Sequence, residues 1–297
     1  GDLTQGLFVL DVSKVSNTAP NPVADFDGDG RTDLSVYSPP TGQWLIRSSE
    51  TGGINNYTWG VPGDVVTNGD FDADGRGDIA VWRPSNGTWY QIRSSGGIWV
   101  MQFGQQDDVP VPADYDADGR TDIAVWRPSN GLWYIINSSL GYRIHGWGIP
   151  GDMPLTGDFE GDGKSDLVIW RPSNGRWYVV PSSSSIPIQA TWGEQGDKPV
   201  YADLDGNGRA EFTVFRPSNG TWYILDVVAG TFRTRQFGMQ GDLPLPADFD
   251  GDGISDIAVF RPATSTWYWL GSAGPSFNVE QFGQQDDFPA PLAVQPQ

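Results

Sequence analysis

Cysteine is absent from the 297-residue sequence, and histidine occurs once, as His145. These facts exclude disulfides, thiolate metal sites and cysteine nucleophiles, and they leave no histidine cluster for a metal. No run of about 18 consecutive apolar residues is present, so we expect no membrane insertion. Basic residues are few, 18 against 37 acidic ones, and the net charge of −19 argues against nucleic acid as a partner.

Repeated sequence accounts for nearly the whole chain. The motif Asp-x-Asp/Glu-x-Asp/Asn-Gly-x-x-Asp/Glu occurs six times, at intervals of 44 or 45 residues. Each copy is followed by an apolar run, a turn, a run that contains tryptophan, and a segment that ends in Phe-Gly or Trp-Gly. This periodicity predicts one domain over residues 1–297. Its repeats are 25–69, 70–113, 114–157, 158–202, 203–247 and 248–288, with terminal closing segments 1–24 and 289–297.

Four short strands, A to D, are predicted in each repeat. Runs of about five β-branched and aromatic residues are bounded by turn residues, and no helical periodicity is present. Four strands in about 45 residues are typical of a propeller blade, so the predicted fold class is all-β, a β-propeller. We expect seven blades, six from the complete repeats and a composite one from both termini, with six blades as the alternative.

Each acidic motif is predicted to bind calcium. Carboxylates occupy positions 1, 3, 5 and 9, the glycine at position 6 permits a sharp turn, and the backbone carbonyl at position 7 adds a ligand. Without a counter-ion, four carboxylates this close would repel one another strongly. An oxygen-only shell suits Ca²⁺, since Mg²⁺ takes fewer protein oxygens and keeps its waters. We expect about six ions, with position 7 contributing its carbonyl, on Asp25, Asp27, Asp29, Arg31, Asp33, Asp70, Asp72, Asp74, Arg76, Asp78, Asp114, Asp116, Asp118, Arg120, Asp122, Asp158, Glu160, Asp162, Lys164, Asp166, Asp203, Asp205, Asn207, Arg209, Glu211, Asp248, Asp250, Asp252, Ile254 and Asp256.

The acidic motif has two alternatives to a calcium loop of this kind. An EF-hand shares the first half of the motif but needs a glutamate at position 12, which is apolar in all six copies, as at Val81. Solvated Asp-rich turns without a metal are the simpler alternative, and the sixfold retention of the ligand positions favours a metal. The fifth motif, with Asn207 and Glu211, has one charge fewer and is expected to bind calcium most weakly.

The acidic motif, with Phe-Gly closing the repeat, resembles the FG-GAP repeat of integrin α-subunit propellers and the VCBS/FG-GAP repeats of secreted bacterial proteins. The likeness covers residues 25–287, with two departures. Gly-Asp-x-Pro stands in place of Gly-Ala-Pro, and all six repeats keep their acidic loops, whereas integrin propellers carry them on some blades only. The resemblance implies a calcium-stabilised propeller in a secreted or cell-surface protein of bacterial type, used for binding.

Tryptophans recur at the start of strand C, and they have two interpretations. Repeated aromatic rings form sugar-stacking platforms in a multivalent lectin, or they fill the core between blades. The candidate ligand-binding residues are Trp89, Trp133, Trp177, Trp222 and Trp267. An arginine also recurs after strand B, as at Arg83, and it is predicted to stack on tryptophan or to pair with the aspartate of the Gly-Asp-x-Pro loop.

No catalytic residue is predicted. Two of the five glutamates, Glu160 and Glu211, belong to acidic motifs, and neither a nucleophile elbow nor a phosphate-binding loop occurs. We expect a non-enzymatic, calcium-stabilised, extracellular binding or adhesion module that recognises glycans or a surface protein. The first alternative is a purely structural spacer or docking domain of a larger surface protein. The second is a calcium-dependent polysaccharide lyase.

Overall fold

The computed structural model describes residues 24–274 and 276–290. The predicted closing segment 1–24 lies outside this range except for Ala24, and so do residues 291–297 of the other closing segment. Twenty-four strands and one 3-10 helix, Pro262–Thr264, are present in the described residues. No helix in this part of the chain is long and apolar enough to cross a membrane.

The strands are short and are separated by turns along the whole described chain. Strands β1 to β12 are Leu34–Ser38, Gln43–Arg47, Ile54–Thr58, Val65–Val66, Ile79–Arg83, Thr88–Ile92, Ile98–Gln102, Val109–Pro110, Ile123–Arg127, Leu132–Asn137, Gly141–Gly146 and Met153–Gly157. Strands β13 to β24 are Asp166–Arg171, Arg176–Val180, Ile188–Thr191, Lys198–Ala202, Glu211–Arg216, Thr221–Asp226, Thr231–Gln236, Leu243–Pro244, Ile257–Arg261, Thr266–Leu270, Phe277–Gln281 and Phe288–Pro289.

In the described residues these strands form six antiparallel sheets of four strands, and each sheet is one propeller blade. Blades 2 to 6 consist of consecutive strands, from β4–β7 to β20–β23. Blade 1 has the order β24-β1-β2-β3, so that the last strand of the described chain pairs with the first. The all-β propeller with four-stranded blades is confirmed. The expectation of seven blades was wrong, and the alternative of six is observed.

The way in which the ring closes explains why six blades are observed rather than seven. Each repeat supplies strands B, C and D to one blade and strand A to the next blade, so the first repeat needs a strand A from elsewhere. Phe288 and Pro289 of β24 fill that place, opposite Tyr37 and Val36 of β1. The C-terminal segment that resembles a strand A therefore completes blade 1 rather than a composite seventh blade.

Strand B is deeply buried because both faces of a blade pack against neighbouring blades, whereas strand C buries alternate residues. Trp82 of strand B and Trp89 of strand C lie in one core cluster between blades. Their indole N–H groups both donate to the carbonyl oxygen of Phe103, at 3.2 and 2.9 Å. The fourth strands β3, β11 and β19 are exposed along their whole length, so the core lies between the first three strands of successive blades.

The hairpin between strands B and C favours glycine, which five of the six blades have at this position. Gly87 has a φ of +62°, and a Cβ at this position would lie 2.2 Å from the carbonyl oxygen of Gly104. The two segments are held this close because the N–H of Phe103 donates to the Gly87 carbonyl at 2.7 Å. Glycine in the hairpin and Phe-Gly or Trp-Gly after strand D therefore occur together in five repeats, and in the sixth Ser265 takes the hairpin position with a φ of +49°.

The arginine that ends strand B forms a two-point ion pair. Arg127 donates from Nε and Nη2 to the two carboxylate oxygens of the buried Asp108, at 2.7 and 2.9 Å. Its guanidinium carbon lies 4.2 Å from the ring centroid of Tyr134. The predicted ion pair is observed, and the stacking partner is tyrosine rather than tryptophan. The equivalent pairs are Arg83–Asp64, Arg171–Asp152, Arg216–Asp197 and Arg261–Asp242.

We expect Arg127→Gln to lower the free energy of unfolding by about 3 kcal/mol, because it leaves the buried Asp108 carboxylate without its counter-charge. The matched control is Arg176→Gln, the same substitution at an exposed arginine of β14, where we expect a change within about 0.5 kcal/mol. Urea unfolding followed by tryptophan fluorescence measures both variants. Equal losses in the two variants would contradict a stabilising role for the ion pair.

Candidate metal centre

The six acidic loops, each formed by the nine motif positions, lie at the end of the blade opposite the B–C hairpin. The second to sixth loops connect strands A and B, and the first precedes strand B of blade 1, whose strand A is β24. The N–H of position 8 donates to the position-1 carbonyl of the preceding loop, as from Gly77 to Asp25 at 2.5 Å. The series closes on itself, since Thr32 of the first loop donates to Asp248 of the sixth at 2.6 Å. Main-chain hydrogen bonds therefore fix all six loops in one ring.

The first aspartate of each loop curls the loop around its own carboxylate. Asp25 accepts backbone hydrogen bonds from Gly28 on Oδ1 and from Gly30 on Oδ2, at 2.7 and 3.0 Å. Positions 4 and 6 have positive φ, which favours glycine, yet Ala73 and Ala117 occupy position 4 of two loops with φ +61°. This local turn brings the later carboxylates of the motif towards the first one.

The last acidic residue of each loop is buried. Asp78 accepts the N–H of Phe71 on Oδ2 at 2.8 Å and the N–H of Ser94 on Oδ1 at 2.7 Å. Burial raises the pKa of the position-9 carboxyl, and nearby carboxylates add to the rise, so a cation close to this group would favour its ionised form. The pKa is raised to about 6 at Asp33, Asp78, Asp122 and Asp256, to about 7 at Asp166 and to about 8 at Glu211.

In five of the six loops, three acidic side chains each place one carboxylate oxygen within 4.8 Å of the other two. Oxygens that share one Ca²⁺ lie about 2.3–2.6 Å from the ion, so those on opposite sides of it are about 5 Å apart. The observed spacing therefore fits a shared cation of this size. The five triads are Asp25–Asp27–Asp29, Asp70–Asp72–Asp78, Asp114–Asp116–Asp122, Asp203–Asp205–Glu211 and Asp248–Asp250–Asp256.

Four carboxylate oxygens of these triads are buried and accept no hydrogen bond from the described residues. They are Asp72 Oδ1, Asp116 Oδ1, Asp250 Oδ1 and Glu211 Oε1. Leaving a buried acceptor unsatisfied costs about 1–3 kcal/mol, and more for a charged group, so such atoms are rare in folded proteins. Three of the four belong to position 3 of their loops, so the same acceptor is available to a cation in each of these three loops.

A serine in the C–D loop donates hydrogen bonds to the carboxylates of most acidic loops, and this residue was not predicted from the sequence. Ser94 lies 16 residues after Asp78, and besides its N–H bond to that residue its hydroxyl donates to Asp74 at 2.8 Å. The constant offset was the available signal, but the segment resembles a variable Ser/Gly loop. Serines at the same offset from position 9 are Ser49, Ser138, Ser182 and Ser272.

The fourth and fifth loops depart from the common arrangement. In the fourth, the longer side chain of Glu160 accepts the N–H and the hydroxyl of Ser183, both at 2.6 Å, and the loop forms no triad. In the fifth, Val227 replaces the serine, and Glu211 Oε1 keeps no partner. The structure therefore brings together carboxylates of five predicted sites and leaves those of the fourth further apart.

The remaining predicted ligands have defined surroundings. The position-7 carbonyls stay a prediction, and the side chain at this position packs over position 4 of the preceding loop, as Arg76 does over Gly28. The position-5 carboxylates accept a serine hydroxyl in most loops. They are Asp29, Asp74, Asp118, Asp162 and Asp252.

The five strand-C tryptophans predicted as ligand-binding residues are buried, with 0–1% of their surface exposed. A ring without an exposed face cannot stack on a sugar, so the prediction of sugar platforms at these positions was wrong, and the core interpretation accounts for them. Their indole N–H groups donate to the carbonyl that follows strand D, at 2.8–3.1 Å. They are Trp89, Trp133, Trp177, Trp222 and Trp267.

Solved structures with a similar fold include a streptogramin B lyase, at 10% identity and a TM-score of 0.56, covering 86% of this chain and 84% of that one. Virginiamycin B lyase from Staphylococcus aureus is similar at 13% identity and 0.53, covering 91% and 87%. AztD from Citrobacter koseri is similar at 11% and 0.51, covering 85% and 95%. At these identities the likeness concerns the fold alone. Comparison with curated proteins found no match.

The FG-GAP-like repeat family matches residues 70–125. This segment contains the second acidic loop, strands B, C and D of blade 2, and strand A of blade 3 with its own acidic loop. The other repeats carry the same motif at the same spacing and fold into the same four-stranded unit. Residues 70–125 therefore match an FG-GAP-like repeat, and the described residues have a β-propeller fold whose other repeats share its motif.

Proposed function

We propose that this protein is a calcium-stabilised, non-enzymatic binding or adhesion module of a secreted or cell-surface protein, with a glycan or a surface protein as its ligand. The propeller and its FG-GAP-like repeat support a binding or structural module. One observation carries the calcium proposal: a buried carboxylate oxygen without a partner recurs at position 3, close to two other carboxylate oxygens.

Calcium would supply the positive charge that the acidic loops lack. The carboxylates of positions 1, 3, 5 and 9 would hold it, and the serine of the C–D loop keeps two of these groups in place from the outside. Because the loops are joined in a ring of main-chain hydrogen bonds, the order that one ion imposes on its loop also favours the bound geometry of its two neighbours.

Removal of calcium is expected to lower the melting temperature. Each ion that binds only the folded protein adds about 2.7 kcal/mol at a concentration one hundred times its Kd. Thermal melts followed by tryptophan fluorescence, in millimolar calcium and in excess EGTA, measure the difference. The same melting temperature in both conditions would contradict the calcium proposal and leave the propeller fold untouched.

The substitution Asp72→Asn distinguishes a ligand from an ordinary acidic residue. With calcium present we expect a loss of about 2 kcal/mol in the free energy of unfolding, because one charged ligand is removed. In EGTA we expect no loss or a gain, since the substitution removes a negative charge from a buried acidic cluster.

The matched control is Asp107→Asn, a substitution of an exposed aspartate outside the acidic loops. We expect it to leave the free energy of unfolding unchanged both in calcium and in EGTA. Denaturant unfolding of the two variants in calcium and in EGTA gives the four comparisons. A loss for Asp72→Asn of equal size with and without calcium would show that this aspartate stabilises the fold without a metal.

The fifth loop is expected to bind calcium most weakly, because Asn207 replaces an aspartate and Val227 replaces the serine. We expect Asn207→Asp to raise the affinity of the weakest site about tenfold, since affinity rises with the number of charged ligands. Calorimetric calcium titration compares this variant with the wild type and with Asn219→Asp, a control in a B–C hairpin at the opposite end of blade 5. An unchanged weakest site in Asn207→Asp would contradict the assignment.

The ligand needs a separate test, because the strand-C tryptophans are buried. A spacer or docking domain has the same calcium dependence as a binding module but no ligand of its own. We expect the purified protein to bind members of a glycan array or isolated surface proteins in calcium, and to lose this binding in EGTA. A folded, calcium-loaded protein that binds neither class would favour the spacer.

A further inference from the structure

The aspartate before the last strand lacks the arginine that its counterparts have. Residues 282–287 repeat the hexapeptide Phe-Gly-Gln-Gln-Asp-Asp of residues 103–108. In blade 3, the last residue of this hexapeptide, Asp108, is paired with Arg127 of strand B. In blade 1, the corresponding residue is Asp287, and no cation in the described part of the chain forms an ion pair with it. The same hexapeptide is therefore paired with an arginine in blade 3 and lacks that arginine in blade 1.

The strands of blade 1 show why the partner is absent. Phe288 lies opposite Tyr37 of β1, so the next residue, Ser38, stands at the register where the other blades have arginine. Leu45 of β2 lies opposite Val36 and takes the place of the tyrosine on which the guanidinium stacks in blades 2 to 6. Blade 1 has thus lost both the cation and the ring that supports it.

The turn that contains Asp287 has the same hydrogen bond as the turn that contains Asp108 in blade 3. Gln284 donates its N–H to Asp287 Oδ2 at 2.8 Å, as Gln105 does to Asp108 at 3.0 Å. Asp287 is also buried, with 7% of its surface exposed. A buried carboxylate with one backbone donor and no counter-charge is an acceptor for a cation, and in blades 2 to 6 the same turn holds one.

A cavity of about 280 Å³ has Asp287 in its wall. Its volume suits one side chain or a small organic cation rather than a large ligand. Asp286 is exposed on its wall and adds a second negative charge. The cavity is lined by Pro262, Ala263, Gln285, Asp286, Asp287 and Phe288.

We propose that Asp287 and this cavity bind a guanidinium cation supplied from outside the fold, by an arginine side chain of a partner protein or by a small guanidinium compound. The planar, two-point donor matches the carboxylate as it does in the five internal pairs, whereas an ammonium ion offers no such fork. The proposal is independent of calcium, because the site lies at the opposite end of the blade from the acidic loops.

Two probes separate the sources of the guanidinium: agmatine, and the capped tripeptide Ala-Arg-Ala. Their matched controls carry a neutral urea group, as in carbamoylputrescine and Ala-citrulline-Ala. We expect saturable changes in the backbone amide resonances of residues 284–287, with a Kd on the order of 10 mM for the guanidinium probes and no saturation for the urea controls, of which carbamoylputrescine keeps the ammonium group of agmatine. Binding of the tripeptide supports an arginine side chain as the source, and binding of agmatine alone supports a small molecule.

Two variants test the site from opposite directions. Asp287→Asn removes the charge, and we expect it to abolish the response to both cations. Ser38→Arg restores the internal partner, and we expect it to abolish the response while raising the melting temperature, which shows that the loss is not a folding defect. The proposal is overturned if neither guanidinium probe binds the wild type, if the urea controls bind equally well, or if Ser38→Arg binds the guanidinium probes as the wild type does.

Discussion

Six main-chain hydrogen bonds, each from position 8 of one acidic loop to position 1 of its neighbour, hold the acidic end of this propeller in a closed ring. The ring fixes carboxylates close together and partly out of water. Burial then raises the pKa of the innermost acids, and oxygens such as Asp72 Oδ1 accept no hydrogen bond from the described residues. Compensating positive charge would stabilise such an assembly, and this connects the sequence of the loops to the calcium proposal.

At the opposite end of blades 2 to 6, the negative charge of a buried carboxylate is compensated by a side chain of the same protein. There a single buried aspartate, such as Asp108, is compensated by an arginine that strand B supplies and a tyrosine ring supports. The acidic end gathers several carboxylates per blade, more than a few basic side chains can neutralise. The acidic loop and the arginine–aspartate pair can occur separately. Blade 1 has its acidic loop, but Ser38 stands where the other blades have the arginine.

Much of the candidate site could be predicted because its ligands lie within nine consecutive residues. Spacing alone predicted the acidic loops, and the structure brings three acids together in five of them. The serine that supports five of the six loops could not be recognised with equal ease, because it lies 16 residues away across a hairpin and serine is common in loops. The exception at Glu160 has one additional methylene, and both of its carboxylate oxygens accept hydrogen bonds from Ser182 and Ser183, whereas Asp116 accepts from Ser139 with Oδ2 alone.

The sequence by itself determined the strand content, the phase of the repeat and the chemistry of the loops, because these depend on local turns and on alternation along short segments. The tertiary structure decided the number of blades, since only ring closure shows that β24 pairs with β1. It also decided the role of the tryptophans. Whether a ring such as Trp89 faces solvent or a neighbouring blade depends on packing between repeats, and no single repeat contains that information.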